Sequence, residues 1–250
     1  MSDIALRCYS CDTSHPADLA TLHCQECLSP LDVSYAGKGD GESIPLPVRD
    51  STSLVSLGEG KTPIVPMPGL GRLLGLRRLQ AKLEFMSPTG SFKDRGTSVM
   101  MSVVREHGVT EIVEDSSGNA GASVAAYAAR AGIKAHVFAP ASAPEGKIQQ
   151  IRVYGAETHL IEGTREDATE AAIAYYKERR LVYVSHNLSP YFLEGTKSFA
   201  YEVAEQSTGE LPAHIVMPVS NGSLFIGTWK GFREKRDAGR ISAIPQLHCV

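Results

Sequence analysis

From residue 78 onward, short apolar stretches of strand length alternate with longer stretches of helix length, joined by few residues. Strands are expected over 78–83, 111–114, 135–139, 157–161, 181–185, 214–219 and 246–250. Helices are expected over 97–107, 120–131, 165–179, 196–206 and 225–237. Gly108 and Gly132 stand where the first two of these should stop. A further helix, running to Tyr154, should open at Ser142-Ala143-Pro144-Glu145, which reads as a capping box with proline in the first turn. Strand, helix and strand in short succession require crossover connections, and hence a parallel sheet covered on both faces. The fold class is α/β.

Open parallel sheets bind ligands where strands hand over to helices, and three glycine-bearing loops fall at such places. The first, Ser87 to Gly96, sets Lys93 beside Phe92 at the mouth of a helix. The positive potential of a helix N-terminus favours a neutral amine, the form that attacks a carbonyl carbon. A lysine taken alone is otherwise a solvated surface charge. The second loop, Asp115 to Ser123, combines hydroxyls, glycines and free helix N–H groups into a receptor for a carboxylate. The third, Pro218 to Leu224, can line up backbone N–H groups into a phosphate-sized nest. None of the three carries a dinucleotide fingerprint or a P-loop.

Ahead of this series, Cys8-Tyr9-Ser10-Cys11 and Cys24-Gln25-Glu26-Cys27 form two CxxC knuckles. Two knuckles supply the four thiolates that zinc favours in a closed structural site, and such a zinc would staple a ribbon too small to hold itself together. Disulfides are disfavoured because no leader for export is read at the N-terminus. His15 and His23 could substitute as ligands but are expected on the surface, and Cys249 is expected as a small core residue. Residues 36–60, rich in glycine and proline, read as linker or wrapping loop.

The chain of 250 residues holds 25 Lys+Arg against 28 Asp+Glu, a net charge of -3, with neither sign gathered into blocks. That argues against a nucleic-acid partner. The most apolar stretch, 120–139, is broken by Arg130 and Lys134, so no membrane span or membrane partner is expected, and the protein is read as cytoplasmic.

Taken in order, the loops resemble those of the tryptophan-synthase-like, fold type II pyridoxal 5'-phosphate enzymes, and among them the threonine synthases. The resemblance begins at Leu57-Gly58-Glu59-Gly60-Lys61-Thr62-Pro63. It is carried by Pro88-Thr89-Gly90-Ser91-Phe92-Lys93-Asp94-Arg95-Gly96 and by Ser117-Gly118-Asn119-Ala120-Gly121-Ala122-Ser123. A four-cysteine ribbon also precedes the fold in some threonine-synthase-like proteins.

The resemblance implies that Lys93 carries pyridoxal phosphate and moves the α-proton as general base. Phe92 would pack near the ring and Asn119 would hydrogen-bond its 3' oxygen, while Ser220, Asn221, Gly222, Ser223 and Leu224 would bind the phosphate. Thr62 and Ser117 would hold the substrate carboxylate. Lys61 and Arg95 would hold the leaving phosphate, each with surface charge or internal ion pairing as its alternative. The implied reaction is that of a lyase in threonine biosynthesis, converting O-phosphohomoserine and water to threonine and phosphate. The implied organisation is a zinc ribbon over 1–35, a linker over 36–61, a larger cofactor domain over 62–96 and 187–250, and a smaller parallel α/β domain over 97–186. The partner is a small amino-acid substrate, and a homodimer is compatible with the resemblance.

Two departures stand out. Serines occupy phosphate-loop positions where the family often has glycine, a small change because the donors are backbone amides. The chain also stops in an apolar strand, whereas family members continue for roughly a further third of this length, including the hydroxyl residue that meets the pyridine nitrogen. A fragment or interrupted reading frame is therefore expected, with weak cofactor binding and little turnover. Alternatives are a related β-elimination or β-replacement enzyme acting on a serine-, cysteine- or phosphoserine-type substrate, and an inactive protein binding zinc and pyridoxal phosphate. A zinc-ribbon adaptor is disfavoured by the net charge and the three loops.

Overall fold

The computed structural model describes residues 4–37, 39–207 and 210–250. Met1 to Asp3, on which the expected lack of a leader rests, Lys38 of the expected linker, and Thr208 and Gly209 lie outside the described residues.

The ribbon is an antiparallel three-stranded sheet of β1 (Ile4–Cys8), β2 (Ser14–Pro16) and β3 (Leu31–Tyr35), with β1 in the middle. Two short antiparallel strands follow, β4 (Ile64–Pro66) and β5 (Gln80–Lys82), flanking the short helix α1 (Pro68–Leu74). Then come α2 (Lys93–Glu106), β6 (Glu111–Glu114), α3 (Asn119–Ala131), β7 (Lys134–Pro140), α4 (Glu145–Val153), β8 (Glu157–Ile161), α5 (Arg165–Arg179) and β9 (Val182–Tyr183). Their four strands form a parallel sheet in the order β8-β7-β6-β9. The remainder is α6 (Pro190–Thr196), α7 (Ser198–Gln206), β10 (His214–Met217), α8 (Ser223–Asp237) and β11 (Gln246–Cys249), with β10 and β11 paired in parallel.

The main core lies where α2 and α3 cover the sheet. Met100, Met101 and Val104 of α2 join Val124 and Tyr127 of α3, Ile112 of β6 and Val137 of β7, all buried. A second core gathers Phe199, Val203, Met217, Leu224 and Phe232 around α7, α8 and β10. Helix α6 packs on α2 so closely that a Cβ at Gly195 would lie 1.9 Å from the Arg95 carbonyl oxygen. Only glycine allows that approach, because ordinary nonbonded contacts need well over ~3 Å.

Several expectations need correction. Helix α2 begins at Lys93 rather than at Thr97, because Asp94 stabilises its first turn by accepting from Thr89 N at 2.7 Å and from Thr89 Oγ1. The Ser142 capping box does not form. Pro144 is the cap of α4, with extended ψ and no side-chain cap bond. The helix expected over 196–206 is α7, which starts at Ser198, and an unexpected helix, α6, precedes it, the two meeting at Lys197. Cys249 is exposed on β11 rather than buried. No described helix is long and apolar enough to cross a membrane.

The ribbon docks on the body through buried charges. Lys230 of α8 pairs with Asp32 of β3 and with Glu194 of α6, and donates to Val33 O at 3.1 Å. The Tyr35 hydroxyl donates to Glu194, whose other cation is Lys197 at 2.7 Å. A cleft of about 510 Å3 runs between the ribbon and α8, lined by Arg7, Asp12, Lys230 and Arg233 among others, and it includes no residue of the three glycine loops.

Candidate active site

Lys93 is the first residue of α2, directly under the partial positive charge of the helix end. Its side chain is buried, with Nζ 4.9 Å from the Phe92 ring centroid and 5.5 Å from that of Phe192. Among the described residues no carboxylate or carbonyl accepts a hydrogen bond from Nζ. Burial pulls the amine down to about 8, opposed in part by the charge of Glu114. A substantial neutral fraction at physiological pH follows, and a neutral amine is a nucleophile.

The three loops meet through a chain of contacts. Asp94, next to Lys93, accepts from Ser123 Oγ of α3 at 2.7 Å, tying the first loop to the second. Glu114 ends β6 just before the second loop. Its Oε1 lies 2.7 Å from His186 Nδ1, and its buried Oε2 has no partner among the described residues. Asn187, the neighbour of His186, accepts from Asn221 Nδ2 of the third loop at 2.6 Å. These contacts link the three loops, and of the residues that make them Glu114, His186 and Asn187 are the ones that sequence reasoning does not single out. Their only sequence signal is position, immediately beside the loops.

The second and third loops present backbone donors that have no acceptor among the described residues. The first three N–H groups of α3 have no intrahelical acceptor, and Asn119 at its start is exposed, with Ser117 half-buried beside it. Gly121 keeps the start of α3 against the end of β6, since a Cβ there would come within 2.0 Å of Ser116 O. In the third loop Ser220 has φ 44 and Gly222 φ 83. The Gly222 N–H is taken by Val219 O at 2.6 Å and that of Ser223 by Asn221 Oδ1 at 3.3 Å, which leaves the N–H groups of Ser220, Asn221 and Leu224 without an acceptor among the described residues. Ser220, at a position where glycine would be unstrained, thus holds a left-handed conformation, the kind of strain that ligand-binding loops retain.

Two expected substrate groups are engaged elsewhere. Arg95 is fully buried, with Nε 2.7 Å from Glu84 Oε2 and Nη1 2.6 Å from Glu202 Oε1. Thr62 donates its hydroxyl to Glu84 at 2.7 Å and accepts from Arg95 at 3.1 Å. Arg95 is therefore the internal ion-pair partner that its alternative reading allowed, because a guanidinium with two carboxylates in place has no charge left for a phosphate. Lys82 completes the network at 2.9 Å from Glu202. Burial alone would raise the Glu202 carboxyl, but Arg95 and Lys82 hold it down at about 2. Lys61 is exposed at φ 49, its amide bonded to Glu202 at 2.8 Å and its ammonium unpaired among the described residues. Glu59 anchors this loop, accepting from Tyr127 of α3 at 2.7 Å and from Ser98 of α2.

In the ribbon the four sulfurs converge. Cys8 and Cys27 Sγ are 3.4 Å apart, and Cys11 lies 3.5 Å from both Cys24 and Cys27. These separations exclude S–S bonds and approach the edge of about 3.8 Å expected for a tetrahedron of Zn–S bonds. His15, expected at the surface, is buried with Nε2 3.4 Å from Cys24 Sγ, placed to support a thiolate rather than replace it. His23 is exposed, as expected.

Residues 55–250 match the family described as pyridoxal-phosphate dependent enzyme. The chain belongs to that family. Within it, the chain is similar to the threonine synthase of Methanocaldococcus jannaschii, 38% identical over 81% of this chain and 50% of the relative. It is 33% identical to the threonine synthase of Methanosarcina acetivorans, over 97% of this chain and 63% of the relative. Among solved structures of the family's fold, the T.th. threonine deaminase superposes with a TM-score of 0.65 and 29% identity, over 72% of this chain and 57% of that one. The chain thus spans about half to three-fifths of the length of the relatives it matches.

Proposed function

We propose that this chain holds pyridoxal phosphate on Lys93 and performs the threonine synthase reaction, releasing phosphate from O-phosphohomoserine and adding water to give threonine. The observation that carries this reading is the Lys93 amine, buried and without a hydrogen-bond acceptor at the start of α2, with its ordinary value lowered to about 8. The groups fit the cofactor: an amine for its aldehyde, an amide side chain at Asn119 and, in the turn from Ser220 to Leu224, the N–H groups of Ser220, Asn221 and Leu224 for its phosphate.

When bound, pyridoxal phosphate supplies an electron sink for the charge left as the α-proton departs. The protein's part is to hold and to move protons. Lys93 Nζ would take the α-proton, and Phe92 and Phe192, whose ring centroids lie 4.9 and 5.5 Å from that nitrogen, would flank the bound cofactor. Ser117 and the free N–H groups of α3 hold the substrate carboxylate. Lys61, its ammonium unpaired among the described residues, would hold the leaving phosphate. The four thiolates hold zinc, which fastens the ribbon, and free thiols suit a reducing cytoplasm.

Borohydride reduction followed by peptide mapping should leave the pyridoxyl group on Lys93. Its appearance on Lys61, Lys82 or Lys197 would overturn the assignment. Phosphate release from O-phosphohomoserine tests the substrate. Deamination of threonine instead would place the chain beside the threonine deaminase on which it superposes.

A further inference from the structure

A cluster of metal-ligating groups lies toward the end of the four-stranded sheet opposite the loop over 115–123, and none of the chemistry above uses it. Strand register builds it. In the parallel pairing of β7 with β8, His136 stands opposite Glu157 and Phe138 opposite His159. In that of β6 with β7, Glu111 stands opposite Lys134. Alternation along each strand then places Glu111, His136, Glu157 and His159 on one face, under Tyr175 of α5.

His136 Nδ1 and His159 Nε2 point at each other across 3.0 Å. Glu157 Oε2 is 3.5 Å from the first, and its Oε1 is 3.7 Å from the second. Two nitrogens and a carboxylate bound at about 2.0 to 2.2 Å in a tetrahedral shell are separated by about 3.4 Å, so the triangle already has the right size. The outer contacts orient the rings. His136 Nε2 is 2.5 Å from Glu111 Oε1, which fixes a proton there and leaves Nδ1 as a lone pair facing the centre. The His159 ring is stacked on Phe138, centroids 4.3 Å apart and 10° from parallel. His136 is fully buried while Glu157 is half-exposed, so the site has a fixed floor and an open rim.

We infer that His136, His159 and Glu157 form a second divalent-cation site, of the zinc class, that fastens the edge strand β8 to β7. Imidazole donors favour zinc and its transition-metal neighbours over magnesium or calcium. The open rim leaves the fourth position to water. Lys134 is the competing cation: its ammonium lies 3.1 Å from Glu157 and 3.4 Å from Glu111, and its side chain is more than half exposed, free to swing away when a metal enters.

The test is a titration of tag-free full-length chain with Zn2+ at neutral pH, counting metal bound beyond what the thiols retain. The wild type should take up one further equivalent, and His159→Gln should not. Glu111→Gln should weaken uptake by about 10- to 100-fold through loss of the outer contact. Lys134→Ala should tighten it, an effect that an ordinary surface ion-pair cluster would not give. Glu157→Gln, altering a half-exposed side chain, carries the test if His159→Gln fails to fold. No further equivalent in the wild type, or equal uptake by His159→Gln or Glu157→Gln, would overturn the inference.

Discussion

Glu114 Oε1 and His186 Nδ1 lie 2.7 Å apart in a buried site, close enough to Lys93 for the charge of Glu114 to act on its amine. Burial pushes the Glu114 carboxyl up, and His186 and Lys93 pull it back. The same field acts in return, since the charge of Glu114 raises Lys93 against the larger effect of burial.

Glu114→Gln should therefore lower the Lys93 value further below about 8 and enlarge its neutral fraction at neutral pH. The pH profile of covalent capture of an aldehyde by Lys93 reads this directly, with its midpoint moving to lower pH. An unmoved midpoint would show that the pair does not act on the amine.

Lys93→Met should abolish pyridoxal phosphate binding and yet make the ligand-free chain more stable. Burial disfavours the charged amine, a penalty that the thioether lacks, worth about 1 kcal/mol, or roughly 2–4 °C in a chain of this size. Thermal melting with and without ligand separates the two effects. Lys93→Arg should also lose binding, because a guanidinium does not give up its proton to become a nucleophile.

The Arg95 network should govern acid stability. Glu202 has its folded value depressed from 4.5 to about 2, so its contribution is present above pH 4.5 and fades as pH falls toward 2. Glu202→Gln should cost about 3 kcal/mol at about pH 7, because Arg95 and Lys82 are left buried with too little negative charge, and should flatten the acid limb of the stability curve. Urea melts at neutral pH and at about pH 3 check both.

Gly195→Ala should cost about 3 kcal/mol or more, or prevent folding, because the added carbon meets the Arg95 carbonyl oxygen and α6 must move off α2. Gly69→Ala in α1, where nothing lies within 4 Å of the new carbon, should be neutral or slightly stabilising. Equal effects would refute the close crossing.

The alternation of strand and helix is readable where glycine or a charged turn closes each element, and β6, β8 and α5 run as expected at 111–114, 157–161 and 165–179. Helix α6 escapes sequence reasoning because Pro190 to Thr196 is short and buried almost all round, leaving no polar face to set a helical period. Lys93 can be singled out by its neighbours, since Phe92, Asp94 and the helix start are local. Arg95 cannot be placed, because what decides its role is Glu202, more than a hundred residues away in the chain. Nor is the cluster at His136 visible, since only the register of β7 against β8 brings its members together.

Helix α8 joins two events that the chemistry would otherwise keep apart. Its first residue follows the left-handed turn at Gly222, and about 10 Å further along, at roughly 1.5 Å per residue, Lys230 grips Asp32 of the ribbon. A stiff rod anchored at both ends cannot loosen at one without disturbing the other. A metal held by the thiolates and a ligand held by the phosphate turn would both bear on this one helix, and any coupling between them would be reciprocal. Whatever factor the ribbon's metal adds to the affinity for a phosphate-bearing ligand, that ligand must return to the metal.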